Sequence, residues 1–179
     1  MNIREIPKDG KKISMVKSSE WFMGMVGDAA IDIESARDGI NSTIDVHIQD
    51  DASVAIEGSV HADVVLRCVK CLEPFQSPVD REFSVVLEPY ERSLSLSRSI
   101  SRAELDAEFY SDNEFDPDVI VFEQIMLSLP LYPLCRPACR GLCSHCGIDL
   151  NEHPEHQCQN DTGANSPFRE QMNKIRKIL

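Results

Sequence analysis

Apolar and polar residues alternate with a period of two in four segments between residues 44 and 87. Successive side chains of a strand point to opposite faces, so this alternation predicts strands with one buried face. The predicted inward-facing residues are Ile44, Val46 and Ile48; Val54 and Ile56; Val60, Ala62, Val64 and Leu66; and Phe83, Val85 and Leu87. Asp50-Asp51 and Gly58 separate the first three segments. An antiparallel sheet with one buried face follows.

The pattern changes to helical spacing in "FDPDVIVFEQIMLSLP", residues 115–130. Asp116 is a good N-cap, Pro117 suits the first helical position, and Pro130 ends the helix. The apolar stripe of this helix is predicted to contain Val119, Phe122, Met126 and Leu129. A helix with such a stripe packs on the apolar face of the sheet. The predicted fold class is therefore α+β, an antiparallel sheet covered by one or two helices.

The remaining segments complete a four-part organisation of the chain. Residues 1–40 form an N-terminal segment, in which "EWFMGMVGDAA" predicts a short helix or an edge strand. Residues 41–133 hold the sheet and the helix, with a flexible Ser/Arg-rich loop at 92–102 and a brief return to the sheet at Phe109-Tyr110. Residues 134–160 are a cysteine-rich segment, and 161–179 are a linker and C-terminal helix. The stripe of that last helix is Phe168, Met172, Ile175 and Leu179.

The charge distribution limits the possible partners. The formal net charge is −12, which opposes a surface devoted to nucleic acid because carboxylates repel phosphates. The acids are concentrated in the middle, with seven and no base in residues 103–118, whereas residues 1–17 and 166–179 each carry a net charge of +3. This distribution permits a basic protein partner, or limited RNA contact through the two ends.

The cysteines are expected to work in a reducing compartment. The sequence contains no apolar run of 18 residues, and its N-terminus lacks an apolar signal core, so we expect a cytoplasmic protein without a membrane partner. In the cytoplasm, clustered cysteines hold metal more often than they form disulfides. The odd count of seven cysteines also fits a disulfide framework poorly.

Four cysteines lie within twelve residues in "CRPACRGLCSHC", which begins at Cys135. Two residues separate Cys143 from Cys146, and Gly147 follows, which is the spacing of a zinc knuckle whose thiolates face one tetrahedral ion. We prefer a single all-thiolate zinc site made of Cys135, Cys139, Cys143 and Cys146. The zinc would order residues 135–158, which have too few apolar side chains to fold alone.

Other ligand sets remain open at this point. Cys158, near His156, can replace one of the two upstream cysteines. Cys68 and Cys71 have knuckle spacing too, and can join Cys143 and Cys146 in a two-knuckle ribbon. Seven cysteines and His156 also supply eight ligands, enough for two tetrahedral sites. Spacing alone does not choose among these sets.

Catalytic readings have less support. Cys68-x-x-Cys71 resembles a thiol redox pair, but that chemistry needs a helix N-terminus, and here Pro74 and alternating β residues follow. An iron–sulfur cluster also fits the cysteine spacing. His145, His47 and His61 are predicted to point outward. Because no catalytic constellation is evident, we expect a protein that is not an enzyme.

Three motifs in order resemble the YceD family, the large ribosomal RNA subunit accumulation proteins. They are "VVLRCVKCLEPF", the Glu-x3-Leu-x-Leu-Pro pattern within Phe122–Cys135, and "CRGLCSHCGIDLN" at Cys139–Asn151. The last motif is similar to the zinc-knuckle extension of many members. Many members end this region with Cys-x-Cys, whereas this chain has His156-Gln-Cys158.

The resemblance implies a bacterial or organellar protein that supports synthesis, processing or stability of large-subunit (23S) rRNA, with a structural zinc and without catalysis. Its implied partners are a large-subunit rRNA precursor, a basic ribosomal protein, or both. The two rival functions are a thiol redox protein that uses Cys68 and Cys71, and a generic zinc-binding adaptor.

Overall fold

The computed structural model describes residues 1–27, 33–49, 52–90 and 108–158. Within these residues the chain forms six strands and two α-helices. They are β1 (Lys11–Lys17), α1 (Ser19–Val26), β2 (Ile33–Ala36), β3 (Ile40–Ile48), β4 (Val54–Arg67), β5 (Pro74–Pro89), β6 (Glu108–Tyr110) and α2 (Pro117–Ser128). The predicted loop at 92–102 and the predicted helix within 161–179 lie outside the described residues.

The strands form one sheet in the order β1-β3-β4-β5-β6, and β2 pairs with the far end of β4. All pairs are antiparallel except β5 with β6, which run parallel from Leu87↔Glu108 to Pro89↔Tyr110. The sheet and its two helices confirm the α+β fold class. The brief return of Phe109-Tyr110 to the sheet is also confirmed, although in parallel orientation.

Strand β4 corrects the prediction at Gly58, which does not separate two strands. The strand is continuous through Gly58, which pairs with Ile44 on one side and Phe83 on the other. A Cβ at Gly58 would lie 2.7 Å from the Thr43 carbonyl oxygen and 2.8 Å from the Phe83 ring. Glycine therefore serves here as a site of close strand approach rather than as a turn.

One face of the sheet forms the core, as the alternation predicts. Ile44, Val46, Val54 and Ile56 are fully buried, and in β4 the same phase continues without interruption to Leu66. Ile48 is the exception, because it ends β3 and is 39% exposed. The alternation is kept across Gly58, which explains why β4 is a single strand of 14 residues.

Helix α2 begins as predicted, but its buried face differs. The Asp116 side chain accepts a hydrogen bond from the Asp118 N–H, and Pro117 occupies the first turn. The fully or nearly fully buried side chains are Ile120, Val121, Gln124 and Ile125. Val119 is instead 38% exposed. Seven of the helix's twelve residues are apolar aliphatic or aromatic, so periodicity alone did not identify the buried face.

The N-terminal segment belongs to the same core. "EWFMGMVGDAA" begins with helix α1, capped by the Ser18 hydroxyl, and the Phe22 ring packs 5.7 Å from that of Phe122 in α2. Lys17 forms an ion pair with Asp118 and lies over the Trp21 ring. No helix in the described ranges is long and apolar enough to span a bilayer.

Candidate metal centre

The tip of the β4–β5 hairpin carries the first cysteine group, which we call the hairpin group: Cys68, Cys71, Cys135 and Cys139. Their sulfur atoms all lie within 4.8 Å of one another. The Cys68 and Cys139 sulfurs are 3.8 Å apart, and those of Cys71 and Cys135 are 3.6 Å apart. Cys68, Cys71 and Cys139 are at most 4% exposed.

A tight turn after β4 places the first two sulfurs of the hairpin group on one side. The Leu72 N–H donates to the Cys68 carbonyl over 2.8 Å, and the Cys68 N–H donates to the Glu73 carbonyl over 3.0 Å. Leu72 takes a left-handed conformation with a φ of 64° to close the turn. The turn therefore presents two thiols from residues three apart, as a metal knuckle does.

The segment after α2 docks onto this turn through its backbone. The Val69 N–H donates to the Pro133 carbonyl over 3.0 Å, and the Leu142 N–H donates to the Lys70 carbonyl over 3.0 Å. Gly141 lies so close that a Cβ there would be 2.8 Å from the Lys70 oxygen, and its φ is +74°. These contacts bring Cys135 and Cys139 to the hairpin tip.

The packed sulfurs of the hairpin group have opposed pKa shifts. Burial alone would raise the pKa of the Cys68 thiol, but backbone N–H groups of Cys135, Cys71 and Lys70 lower it to about 6. Burial raises the pKa of Cys71 to about 12 and also raises the pKa of Cys135. A thiolate is thus favoured at Cys68, while burial disfavours a second one at Cys71 or Cys135, a cost that a bound divalent cation would offset.

The second cysteine group, which we call the knuckle group, is local in sequence: Cys143, Cys146, His156 and Cys158. Its ligand atoms also lie within 4.8 Å of one another. The Cys146 sulfur is 3.2 Å from Nε2 of His156. Cys146 is exposed and the other three residues are partly buried, so this group lies near the surface.

A short hairpin shapes the knuckle. Leu142 and Asp149 form an antiparallel bridge, and the Cys143 N–H donates to the Ile148 carbonyl over 2.8 Å. The turn closes with the Gly147 N–H on the Cys143 carbonyl, and Gly147 has a φ of +75° that glycine adopts without strain. Backbone N–H groups of His145 and Cys146 lower the pKa of Cys143 to about 6.

Asn151 connects the two groups. Its side-chain oxygen accepts from the Arg140 N–H over 2.8 Å, and its side-chain nitrogen lies 3.5 Å from the Cys139 sulfur. The Arg140 guanidinium donates to the Pro154 carbonyl over 2.8 Å. The loop that leads to His156 and Cys158 is thereby fixed against a ligand of the hairpin group.

The structure differs from the preferred single-site grouping. Cys135 and Cys139 lie with Cys68 and Cys71, whereas Cys143 and Cys146 lie with His156 and Cys158. Only three residues separate Cys139 from Cys143, and the reversal of the chain at Gly141 directs the two halves to different groups. The ribbon of Cys68 and Cys71 with Cys143 and Cys146 is not formed either; the arrangement corresponds to two four-ligand groups.

Each group fits a tetrahedral metal ion by its donors and spacing. Zinc–sulfur bonds of about 2.3 Å in a tetrahedron place sulfurs about 3.8 Å apart, close to the 3.8 Å and 3.6 Å between the sulfur pairs of the hairpin group. The His156–Cys146 pair is a few tenths of an ångström closer than the roughly 3.6 Å of a zinc-bound pair. Both groups can hold a metal ion.

The other predicted histidines lie where the pattern indicates. His47, His61 and His145 are all exposed. Sequence reasoning missed Asn151 and Gly141, which carry neither a thiol nor an imidazole. Gly141 directly follows Arg140, and Asn151 ends the third motif. Neither position indicates its contact unless it is already known which cysteines belong to which group.

Comparison with known proteins gives a family match. The model of the family described as large ribosomal RNA subunit accumulation protein YceD matches residues 56–173. This range includes all four cysteines of the hairpin group and all four ligands of the knuckle group. No solved structure matches the chain.

Curated relatives include an uncharacterized protein of Mycobacterium tuberculosis, 31% identical over 104 residues, which are 58% of this chain and 48% of that protein. A protein of Mycobacterium leprae is 28% identical over 104 residues, 58% of this chain and 46% of that protein. The maize protein named large ribosomal RNA subunit accumulation protein YCED homolog 1, chloroplastic, is 24% identical over 127 residues, 58% of this chain and 43% of that protein. The chain matches less than half the length of these relatives.

Proposed function

Because the chain belongs to the YceD family of large ribosomal RNA subunit accumulation proteins, we propose that it supports synthesis, processing or stability of 23S rRNA without catalysing a reaction. The family name implies the role in large-subunit rRNA accumulation. The restriction to 23S rRNA and the absence of catalysis are our inferences.

The observation that carries the structural part of this proposal is the pair of four-ligand groups. We infer that both hold zinc, because seven thiolates and one imidazole in tetrahedral spacing are the donors of structural zinc sites. All four donors of each group are protein side chains, which leaves no open position for a substrate. Closed zinc sites stabilise a fold rather than activate water.

A thiol redox role for Cys68 and Cys71 has less support. The lowered pKa of Cys68 is a property of reactive thiols, but the residue is fully buried at a hairpin tip rather than exposed at a helix N-terminus. Its sulfur is surrounded by three other sulfurs. This environment favours a ligand over a nucleophile.

Zinc analysis of freshly purified protein tests the metal part. We expect about two equivalents of zinc per chain. A content below about half an equivalent would contradict both zinc sites. If the protein instead contains iron and shows the visible absorption of an iron–sulfur cluster, the iron–sulfur alternative would be correct in place of zinc.

Cosedimentation tests the ribosomal part. We expect the protein to migrate with large-subunit precursors in a gradient, and its removal from cells to lower mature 23S rRNA while 16S rRNA is retained. A generic zinc adaptor would remain at the top of the gradient. Pulldown with nuclease then separates a ribosomal protein partner, which survives the treatment, from partners joined only through RNA.

A further inference from the structure

An open groove lies between β6 and α2, and no residue of the two cysteine groups lines it. Its volume is 730 Å³. The apolar floor and walls include Leu87, Phe109, Val119, Ile120, Met126 and Leu127. This size accommodates several side chains of a bound peptide. We call it the acidic groove, for the charges described next.

Four carboxylates surround this apolar floor: Glu108, Glu114, Asp116 and Glu123. The lining residues in the described part of the chain include no Lys or Arg. Burial, and then the charge of Glu123, raise the pKa of Glu108. A cation placed among these carboxylates would relieve their mutual repulsion, whereas an RNA phosphate would add to it.

Part of the apolar lining of the acidic groove is exposed to solvent. Phe109 is 45% exposed and Leu127 is 66% exposed. Four and five residues beyond Leu127, Leu131 and Tyr132 are 91% and 79% exposed. Large apolar side chains with this exposure, next to charged groups, are typical of protein interaction sites.

We propose that the acidic groove binds a basic segment of a ribosomal protein that inserts apolar side chains between β6 and α2. This inference rests on the proposed ribosomal function and names the partner chemistry. Charge selects protein over RNA, and the apolar floor selects a segment with anchoring side chains over a purely basic one.

The direct test uses the full-length protein and synthetic peptides that tile the basic extensions of large-subunit ribosomal proteins, with binding measured by fluorescence anisotropy. We expect at least one peptide to bind with a Kd below about 100 µM. The double variant E114K/E123K and the single variant L127D should each raise the Kd for that peptide by about tenfold or more. The control E57K/E82K makes the same charge change on the solvent-facing side of the sheet and should keep wild-type binding. Circular dichroism confirms that each variant is folded.

Three results would overturn the proposal. One is that no peptide binds, or that the groove variants and the control weaken binding equally. Another is that a 20-nucleotide single-stranded RNA binds the groove, shown by weaker binding in L127D, while the peptides do not. The third is that peptides bind only after K174E/K177E, which would make the chain's own basic C-terminal segment the occupant.

A complementation assay separates this proposal from the proposed function. If deletion of the gene leaves 23S rRNA unchanged, the proposed function fails. If deletion lowers 23S rRNA and the E114K/E123K variant restores it fully, the function stands and only the groove proposal fails.

Discussion

The hairpin group and the knuckle group use the same chemistry for different structural purposes. The hairpin group is buried except for Cys135, which is partly exposed, and it joins residues 64 to 71 positions apart, so it attaches the cysteine-rich segment to the sheet. The knuckle group takes all its ligands from residues 143–158 and is partly exposed, so it shapes one loop. The comparison teaches that the short spacing within each cysteine pair indicates metal-binding chemistry. The sequence distance between the pairs indicates which parts of the chain a metal ion would hold together.

Substitution of a hairpin-group ligand should have the largest effect. We expect Cys68→Ser to lower the zinc content from about two equivalents to about one, because a tetrahedral site loses a thiolate. Loss of a buried metal site should lower the free energy of unfolding by about 4 kcal/mol or more. Elemental analysis and urea unfolding measure the two effects. Val69→Ser, in the same turn but 39% exposed, is the control and should retain both zinc equivalents.

Substitution of a knuckle-group ligand should lower the zinc content as much, but it should lower the free energy of global unfolding much less. We expect Cys143→Ser to lower the zinc content by about one equivalent, while urea unfolding of the sheet stays within about 1 kcal/mol of wild type. Hydrogen exchange should show that residues 142–158 lose protection, while the protection of β4 is unchanged. The control Ser144→Ala, at an exposed position between the two knuckle cysteines, should leave the zinc content and the hydrogen exchange unchanged. Equal global destabilisation by Cys143→Ser and Cys68→Ser would remove the distinction between the groups.

Two glycines provide a matched pair for the docking contact. Gly141 and Gly147 have φ of +74° and +75°, but only a Cβ at Gly141 would strike the Lys70 backbone. Gly147→Ala should cost only the conformational strain, about 1 kcal/mol. Gly141→Ala should cost about 1–3 kcal/mol more, because the hairpin tip must shift. Urea unfolding of both variants measures the difference, and equal losses would mean that this close approach is unimportant.

Removal of the link between the groups should have the smallest effect. Asn151→Ala removes the contact to the Cys139 sulfur and the acceptor for the Arg140 N–H. We expect about tenfold weaker zinc binding in the hairpin group, the lower end for a lost outer hydrogen bond, with both equivalents still bound at saturation. Competition with a chromophoric chelator measures this affinity. The control Glu152→Ala changes an exposed neighbour and should bind zinc as the wild type does.

The sheet was largely predictable because its alternation is strict and its register is fixed by one buried face. Ile44, Val46 and Leu66 all lie where the period-two pattern places them. Gly58 was misread because a glycine within a strand and a glycine between strands look alike until the neighbouring strands are known. The face of α2 was misread because apolar residues nearly surround that helix.

The candidate metal residues were all identifiable from residue type and spacing, but their partition was not. Cys135 and Cys139 are closer in sequence to Cys143 than to Cys71, and proximity favoured the single-site grouping. The partition follows from where the β4–β5 hairpin ends and from backbone contacts at Lys70, neither of which has a sequence pattern of its own. Long-range pairing is therefore the part that local reasoning could not supply.

The span of the hairpin group has a consequence for how a newly made chain matures. Knuckle ligands are at most fifteen residues apart, so a nascent chain can gather them around an ion before the rest has collapsed. The ligands at the hairpin tip meet only after β4 and β5 have paired and α2 has returned the chain to them. Metal binding by the hairpin group would thus be a late event in folding, and it would occur only in chains that had already reached their final topology.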